Sequence, residues 1–418
     1  MKITTLDNGV RVVTETMPRV ETASFGVWVD AGGRCEAAEV NGVAHMLEHM
    51  AFKGTTRRTA RGIAEEIEDV GGSLNAYTGR EHTAYYARVL AEDVPLAADI
   101  IADILLNSTF DAEEYEKERH VILQEIGETL DMPGDLVFDH LQEAAFPDQA
   151  IGRSILGTEA VIEKLPREAL QAFVDAHYGP ESLIVASSGK VAHEAIVNLA
   201  EAHFGQLPRT TRPTPEPSRY TGGEWLTGRE LEQVHLCLGL EAMSYKDDDF
   251  IPLQVFSTAL GGGMSSRLFQ EVRENRGLCY SIFSFTGLHN DSGLFGIYAA
   301  TGEEDVPELI RVIAGELQGL AAGIGEAELN RAKAQLKASL LMAQEGCFSV
   351  CEDLAKQWLC FGDYLTPAEI AAKYAAVTAD DIERVAGRLL KDPRPTVAAI
   401  GPAGGLPDAG SWARALAR

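Results

Sequence analysis

Apolar residues along this chain recur in two rhythms, and their order sets out the elements before any chemistry is considered. Apolar positions three and four apart predict long helices over 59–70, 92–106, 111–130 and 167–177, each with one stripe to bury. Between them lie short stretches that alternate with period two. The opening MKITTLDNGV is one, and Ser73 to Tyr86 reads as two short strands joined by a Gly-Arg turn. Hairpin-like pairs outnumber strand-helix-strand units, which predicts an α+β fold with antiparallel-rich sheets and not a doubly wound one.

The pattern runs twice. The segment QLPRTTRPTPEPSRYTGG holds four prolines and little apolar content, so residues 206–224 are expected to form an extended linker. On one side LPREALQAFVDAHYGPESLIVASSG matches VTADDIERVAGRLLKDPRPTVAAIG on the other, each an amphipathic helix followed by an apolar strand. Likewise VPLAADIIADILLNSTFDAEEYEKERHVILQEI lies against VPELIRVIAGELQGLAAGIGEAELNRAKAQLKASL. At 418 residues the chain exceeds what one core usually supports. Two similar domains, 1–205 and 225–418, are therefore expected.

Only the first half carries an obvious chemical motif. Residues 45 to 49 read His-Met-Leu-Glu-His, and at about 100° per residue His45 and His49 project from one helix face a turn apart. Two imidazoles so placed can share one Zn²⁺ at ~2.0 to 2.1 Å. Glu48 stands at the edge of that face, where a general base for an attacking water belongs. Asn41-Gly42 offers a helix start, Val43, Met46, Leu47 and Met50 a buried side, and Gly54 an end. A third ligand is needed, preferably anionic. The acidic run Asp111 to Glu128 has an apolar stripe of Tyr115, Val121, Ile122, Leu123 and Ile126, and it presents Glu118 and Glu125 seven residues apart on one face. Spacing alone does not choose between them. In the repeat register Glu125 falls opposite Ser339, and the histidine helix falls opposite a segment with no His pair. The second half is thus expected to be a degenerate copy.

Composition narrows the class. With 36 basic against 63 acidic residues the formal net charge is −27, which argues against a nucleic-acid partner and suits attraction of basic peptides. The glycine run Gly261-Gly262-Gly263 lacks the GK[ST] ending of a nucleotide loop. Six cysteines show no CxxC pair, so reduced thiols are expected. No apolar signal core opens the chain and no run of ~18 apolar residues occurs in it, so a cytoplasmic, bacterial protein without membrane spans is expected.

With DNGVRVV, AGGRCE, GVAHMLEHMAFKGT, GGSLNAYTGREHTAYYA, ERHVILQEI and LGGGMSSRLFQEVRENRGLCYS in view, the chain resembles the pitrilysin family of zinc endopeptidases, the inverzincins, nearly end to end. It is most similar to bacterial members of the mitochondrial-processing-peptidase type. The resemblance implies two like domains, each a sheet with helices on one face. It implies His45, His49 and Glu125 as ligands to one Zn²⁺ per subunit, Glu48 as base, and Glu118 as a carboxylate behind the ligands. It assigns Arg273 and Tyr280 to substrate contact beside the reacting carbonyl, from the other half of the assembly. It further implies that Asp135 and Asp139 bind an arginine upstream of the cut and that Phe52 lines the pocket after it. The strand beside the zinc helix is a natural place for an extended peptide to add, with Asn75 and Ala76 against its backbone. A homodimer closed around unfolded, basic, presequence-like peptides is the expected assembly. The alternative is a non-catalytic or partner-dependent subunit of a heterodimeric peptidase or assembly complex.

Overall fold

A computed structural model describes residues 1–417. Its contacts divide into two units. Unit 1 comprises Met1–Gly127, Ser154–Glu216 and Met342–Tyr364; unit 2 comprises Glu128–Arg153, Pro217–Leu341 and Leu365–Arg418.

Unit 1 is built on six strands: β1 (Lys2–Thr5), β2 (Arg11–Thr16), β3 (Thr22–Val29), β4 (Ser73–Thr78), β5 (Thr83–Leu90) and β6 (Leu183–Gly189). They lie in the order β1-β2-β6-β3-β5-β4. The expected hairpin is β4 and β5, and it leaves β4 as an edge. Helices α1 (Val43–Ala51), α2 (Ala60–Glu68), α3 (Val94–Leu106) and α4 (Ala112–Leu130) follow the apolar periodicity to within two residues of the expected bounds. One sheet face carries Phe25, Val27, Tyr85 and Ala87 against Met46, Met50, Ile100 and Ile101, all fully buried. Each of the Phe, Val, Met and Ile side chains among them contributes roughly 1.5–3 kcal/mol by leaving water.

Unit 2 repeats the plan with β7 (Gly223–Gly228), β8 (Val234–Ala242), β9 (Cys279–Leu288), β10 (Gly293–Thr301) and β11 (Thr396–Gly401), ordered β7-β11-β8-β10-β9. Strand for strand this matches β2-β6-β3-β5-β4. The first pair is parallel in both sheets and the remaining pairs are antiparallel. Helices Val306–Ala321 and Glu326–Ala343 stand where α3 and α4 stand in the first half.

The main helical layer covers one face of each sheet, and the opposite face is closed by an exchange that sequence halves do not reveal. Helix α5 (Pro133–Ala145), from the first half, packs on β7, β8 and β11 of unit 2, burying Leu136, Val137 and Leu141 against Cys237, Leu294 and Ala398. Helix Cys347–Phe361, from the second half, packs on the equivalent β2, β3 and β6 of unit 1, where Val350, Cys351 and Leu354 meet Val13, Trp28 and Ile184. A division at residues 205 and 225 would separate each of these helices from the sheet it covers. Residues 206–222 form no helix or strand, in keeping with the proline-rich composition. The first of them are tied to unit 1 by Arg212 on Asp30 and by Arg34 Nη2 donating to the Glu216 carbonyl at 2.8 Å.

Candidate metal centre

Helix α1 starts abruptly because its first turn is capped by a side chain from outside it. The buried Glu36 carboxylate accepts from the backbone N–H groups of Gly42 and Ala44 and from Asn41 Nδ2, each at 2.8 Å. A negative charge there also suits the helix dipole. Gly42 turns the chain into the helix at φ 95°, a conformation that favours glycine. A Cβ there would lie 2.7 Å from both the Leu156 carbonyl oxygen and Ile162 Cδ1.

From this start Val43, Ala44, Met46, Leu47, Met50 and Ala51 are buried, leaving His45, Glu48 and His49 on the open side. The two imidazoles meet edge to face with centroids 4.6 Å apart. Glu125 comes to them from α4, its Oε2 3.7 Å from His45 Nε2 and 3.6 Å from His49 Nε2. One donor atom from each of the three lies within 4.8 Å of the others. Two imidazoles and a carboxylate are a donor set that zinc accepts, with a fourth position left for water or substrate. Among the described residues no other group of three His, Cys, Asp or Glu converges in this way.

The surroundings treat the two histidines differently. His49 Nδ1 is 2.9 Å from Oε2 of the buried Glu118, whose Oε1 takes an ion pair from Lys53 Nζ at 2.7 Å. A carboxylate on Nδ1 holds the proton there and leaves the Nε2 lone pair aimed at Glu125. His45 has no such anchor: its Nδ1 is buried without a hydrogen-bond partner. Burial, and then the neighbouring His49, push the His45 pKa down to about 4. It is therefore neutral at pH 7, the form that ligates. Glu48 is held by Thr78, whose Oγ1 donates to Glu48 Oε2 at 2.6 Å. Burial raises the Glu48 pKa, and the Thr78 bond opposes that rise.

The other expected residues fall in two places. Phe52 ends α1, half-buried against the unit 1 core. Asn75, exposed, and Ala76, buried, lie on the edge strand β4. Arg273, Tyr280, Asp135 and Asp139 belong to unit 2. There the Arg273 guanidinium stacks 4.6 Å from the ring centroids of both Phe269 and Tyr280, and Tyr280 is 75% exposed. Asp135 and Asp139 sit one turn apart on α5. His82 is no part of the metal cluster and lies edge-on to Tyr77. Glu36, Lys53 and Thr78 were not anticipated. Lys53, one turn beyond His49, and Thr78, two residues after Ala76 on the same strand face, had a local signal; Glu36 had none.

A paired imidazole and carboxylate set with a further carboxylate poised beside it defines a metallohydrolase site, set here on one of two like α+β units. Two family models match the chain, "Insulinase (Peptidase family M16)" over residues 11–159 and "Peptidase M16 inactive domain" over residues 164–336. An "uncharacterized zinc protease" of Streptomyces coelicolor is 40% identical over 409 residues, 96% of this chain and 89% of the relative. A "probable mitochondrial-processing peptidase subunit beta" of Arabidopsis thaliana is 40% identical over 428 residues, 99% of this chain and 80% of the relative. The fold is shared with a protease from Helicobacter pylori, with TM-score 0.89 at 24% identity over 96% of this chain and 99% of that one. It is shared also with a chain of Complex III2 from Candida albicans, with TM-score 0.90 at 22% identity over 99% of each. The chain belongs to peptidase family M16, and it is a metallopeptidase of that family.

Proposed function

We propose that the chain is a zinc endopeptidase that cleaves unfolded, basic, presequence-like peptides inside a chamber closed by two copies of itself. The observation that carries this reading is the convergence of His45, His49 and Glu125 with Glu48 held alongside. The zinc named in the relative from Streptomyces coelicolor fits this donor set. His45, His49 and Glu125 would hold one ion per subunit, with Glu118 orienting His49. Bound there, zinc supplies Lewis acidity that polarises a carbonyl and acidifies water.

The protein's own groups do the rest. Glu48 takes the proton of the attacking water and returns it to the leaving amine. Arg273 and Tyr280, already stacked on one another, present donors to the oxygen on which charge develops. An extended substrate adds to the open edge of β4 beside Asn75 and Ala76, and Phe52 borders the side chain after the cut. Asp135 and Asp139 receive an arginine upstream of it, as paired carboxylates one turn apart can. The six free cysteines agree with a reducing, cytoplasmic setting. Among the described residues no helix is long and apolar enough to cross a membrane.

Completion of one subunit's zinc site by the partner's Arg and Tyr has a direct test. E48Q and R273A proteins, each inactive alone, should recover part of the activity when mixed and refolded together. Absence of recovery, or activity in a species that sediments as a monomer, would overturn the homodimer. The names of the relatives support a second reading. A chain 40% identical to a processing-peptidase beta subunit could require a different partner, and inactivity of the purified chain with zinc bound would favour it.

A further inference from the structure

Thr78 is the last residue of β4, the strand proposed to receive the substrate, and it is also the residue that grips the proposed base. Its hydroxyl proton has two acceptors in reach, Glu48 Oε2 at 2.6 Å and the Ala44 carbonyl at 3.5 Å. The shorter is the effective bond. The Thr78 backbone N–H bonds the same carboxylate, so Glu48 is gripped by two donors of one residue, of which only the hydroxyl depends on the side chain. The strand that supplies Thr78 is itself pinned from the opposite face one residue earlier. Tyr77 Oη accepts from Trp28 Nε1 at 3.2 Å and donates to Glu352 Oε1 at 2.9 Å, and Lys356 pairs with Glu352 at 2.9 Å while lying over the Tyr77 ring. Glu352 and Lys356 stand on the exchanged helix Cys347–Phe361. The orientation of Glu48 is thus fixed to the edge strand through Thr78, and the edge strand is fixed to a helix contributed by the other half of the chain.

We propose that Thr78 is a positioning residue for the peptidase reaction, orienting the Glu48 carboxylate toward the attacking water and coupling that orientation to the strand on which the peptide binds. The inference rests on Glu48 acting as the base. Valine matches threonine in shape and lacks the donor, whereas serine keeps the donor and loses a methyl group. T78V should therefore lower kcat by about 10- to 100-fold, the range of a lost hydrogen bond to a charged group, with KM, bound metal and Tm unchanged. T78S should stay within about 3-fold of wild type, since it preserves the bond. In crystals of the metal-free proteins, Glu48 should hold one rotamer in wild type and T78S and change or split in T78V. E48Q is measured alongside. If E48Q remains active, the base assignment fails and the proposal with it. If E48Q is inactive but T78V turns over like wild type, or T78S is as impaired as T78V, or Glu48 keeps its rotamer in T78V, the positioning role alone is overturned.

Discussion

Replacing Glu118 with glutamine tests the proposal that it holds a zinc ligand, His49, without being one. Glu118 does not face the cluster formed by His45, His49 and Glu125. Its Oε2 meets His49 Nδ1 at 2.9 Å, its Oε1 meets Lys53 at 2.7 Å, and its side chain is only 7% exposed. In E118Q the amide oxygen can still accept from Nδ1, but the negative charge that strengthens the bond and raises the basicity of Nε2 is gone. Carboxylates in this position are commonly worth about 10- to 100-fold in metal affinity, which is about 1.4 to 2.8 kcal/mol. Folding should suffer less, because Lys53 is 30% exposed and can turn its ammonium to water. The assay is competition for zinc between the protein and a chromogenic chelator at fixed pH, with the Tm of the metal-free form as a control. E125Q, which alters a proposed ligand, should bind more weakly still. Zinc affinity of E118Q within twofold of wild type would refute the reasoning.

Other perturbations reach different parts of the account. G42A should destabilise the protein by more than about 1 kcal/mol, since its φ and the 2.7 Å approaches at Leu156 and Ile162 both oppose a Cβ; denaturant unfolding of the metal-free protein measures it. Burial alone would raise Asp249, but its bonds from Arg384 and Arg388 outweigh burial and hold the carboxylate below the ordinary aspartate range. A depressed folded value means stability that is present above the unfolded pKa of about 3.9 and lost as pH falls through the folded one. Wild type should therefore lose stability below that pH more steeply than D249N in an unfolding series across pH. The D135N/D139N double variant should lower kcat/KM for peptides with an arginine before the cut and leave neutral peptides unchanged, with the difference shrinking as salt rises; equal effects on both peptides would remove the acidic pair from substrate recognition.

Local pattern carried much of the fold because the signals that matter for single elements are local. The period of 3.6 over Val94–Leu106 and Ala112–Leu130, and the turn between β4 and β5, are properties of neighbouring residues. The internal repeat was legible for the same reason, and the matched strand orders of the two sheets agree with it. The destination of a buried face was not legible. The apolar stripes of α5 and of Cys347–Phe361 say that each helix must be covered, and they carry no mark that each lies on the sheet of the other half. At the proposed metal site His45, Glu48 and His49 were visible as a spacing. Glu118 and Glu125 were equivalent in spacing, and only the positions of the carboxylates around the His49 ring distinguish them, one at Nδ1 and the other toward Nε2. Glu36 and Thr78 reach α1 from outside the helix, Thr78 thirty residues from Glu48, so no helical periodicity could show them.

Cleavage of a quenched fluorescent peptide carrying an arginine two residues before the expected cut, by the purified chain alone, tests the central claim most directly. The zinc-loaded protein should cleave it, a chelator should abolish cleavage and zinc restore it, and E48Q should bind zinc with wild-type stoichiometry while showing no turnover. An inactive wild-type chain with one zinc bound per subunit, or an E48Q protein that cleaves at the wild-type rate, would contradict the account.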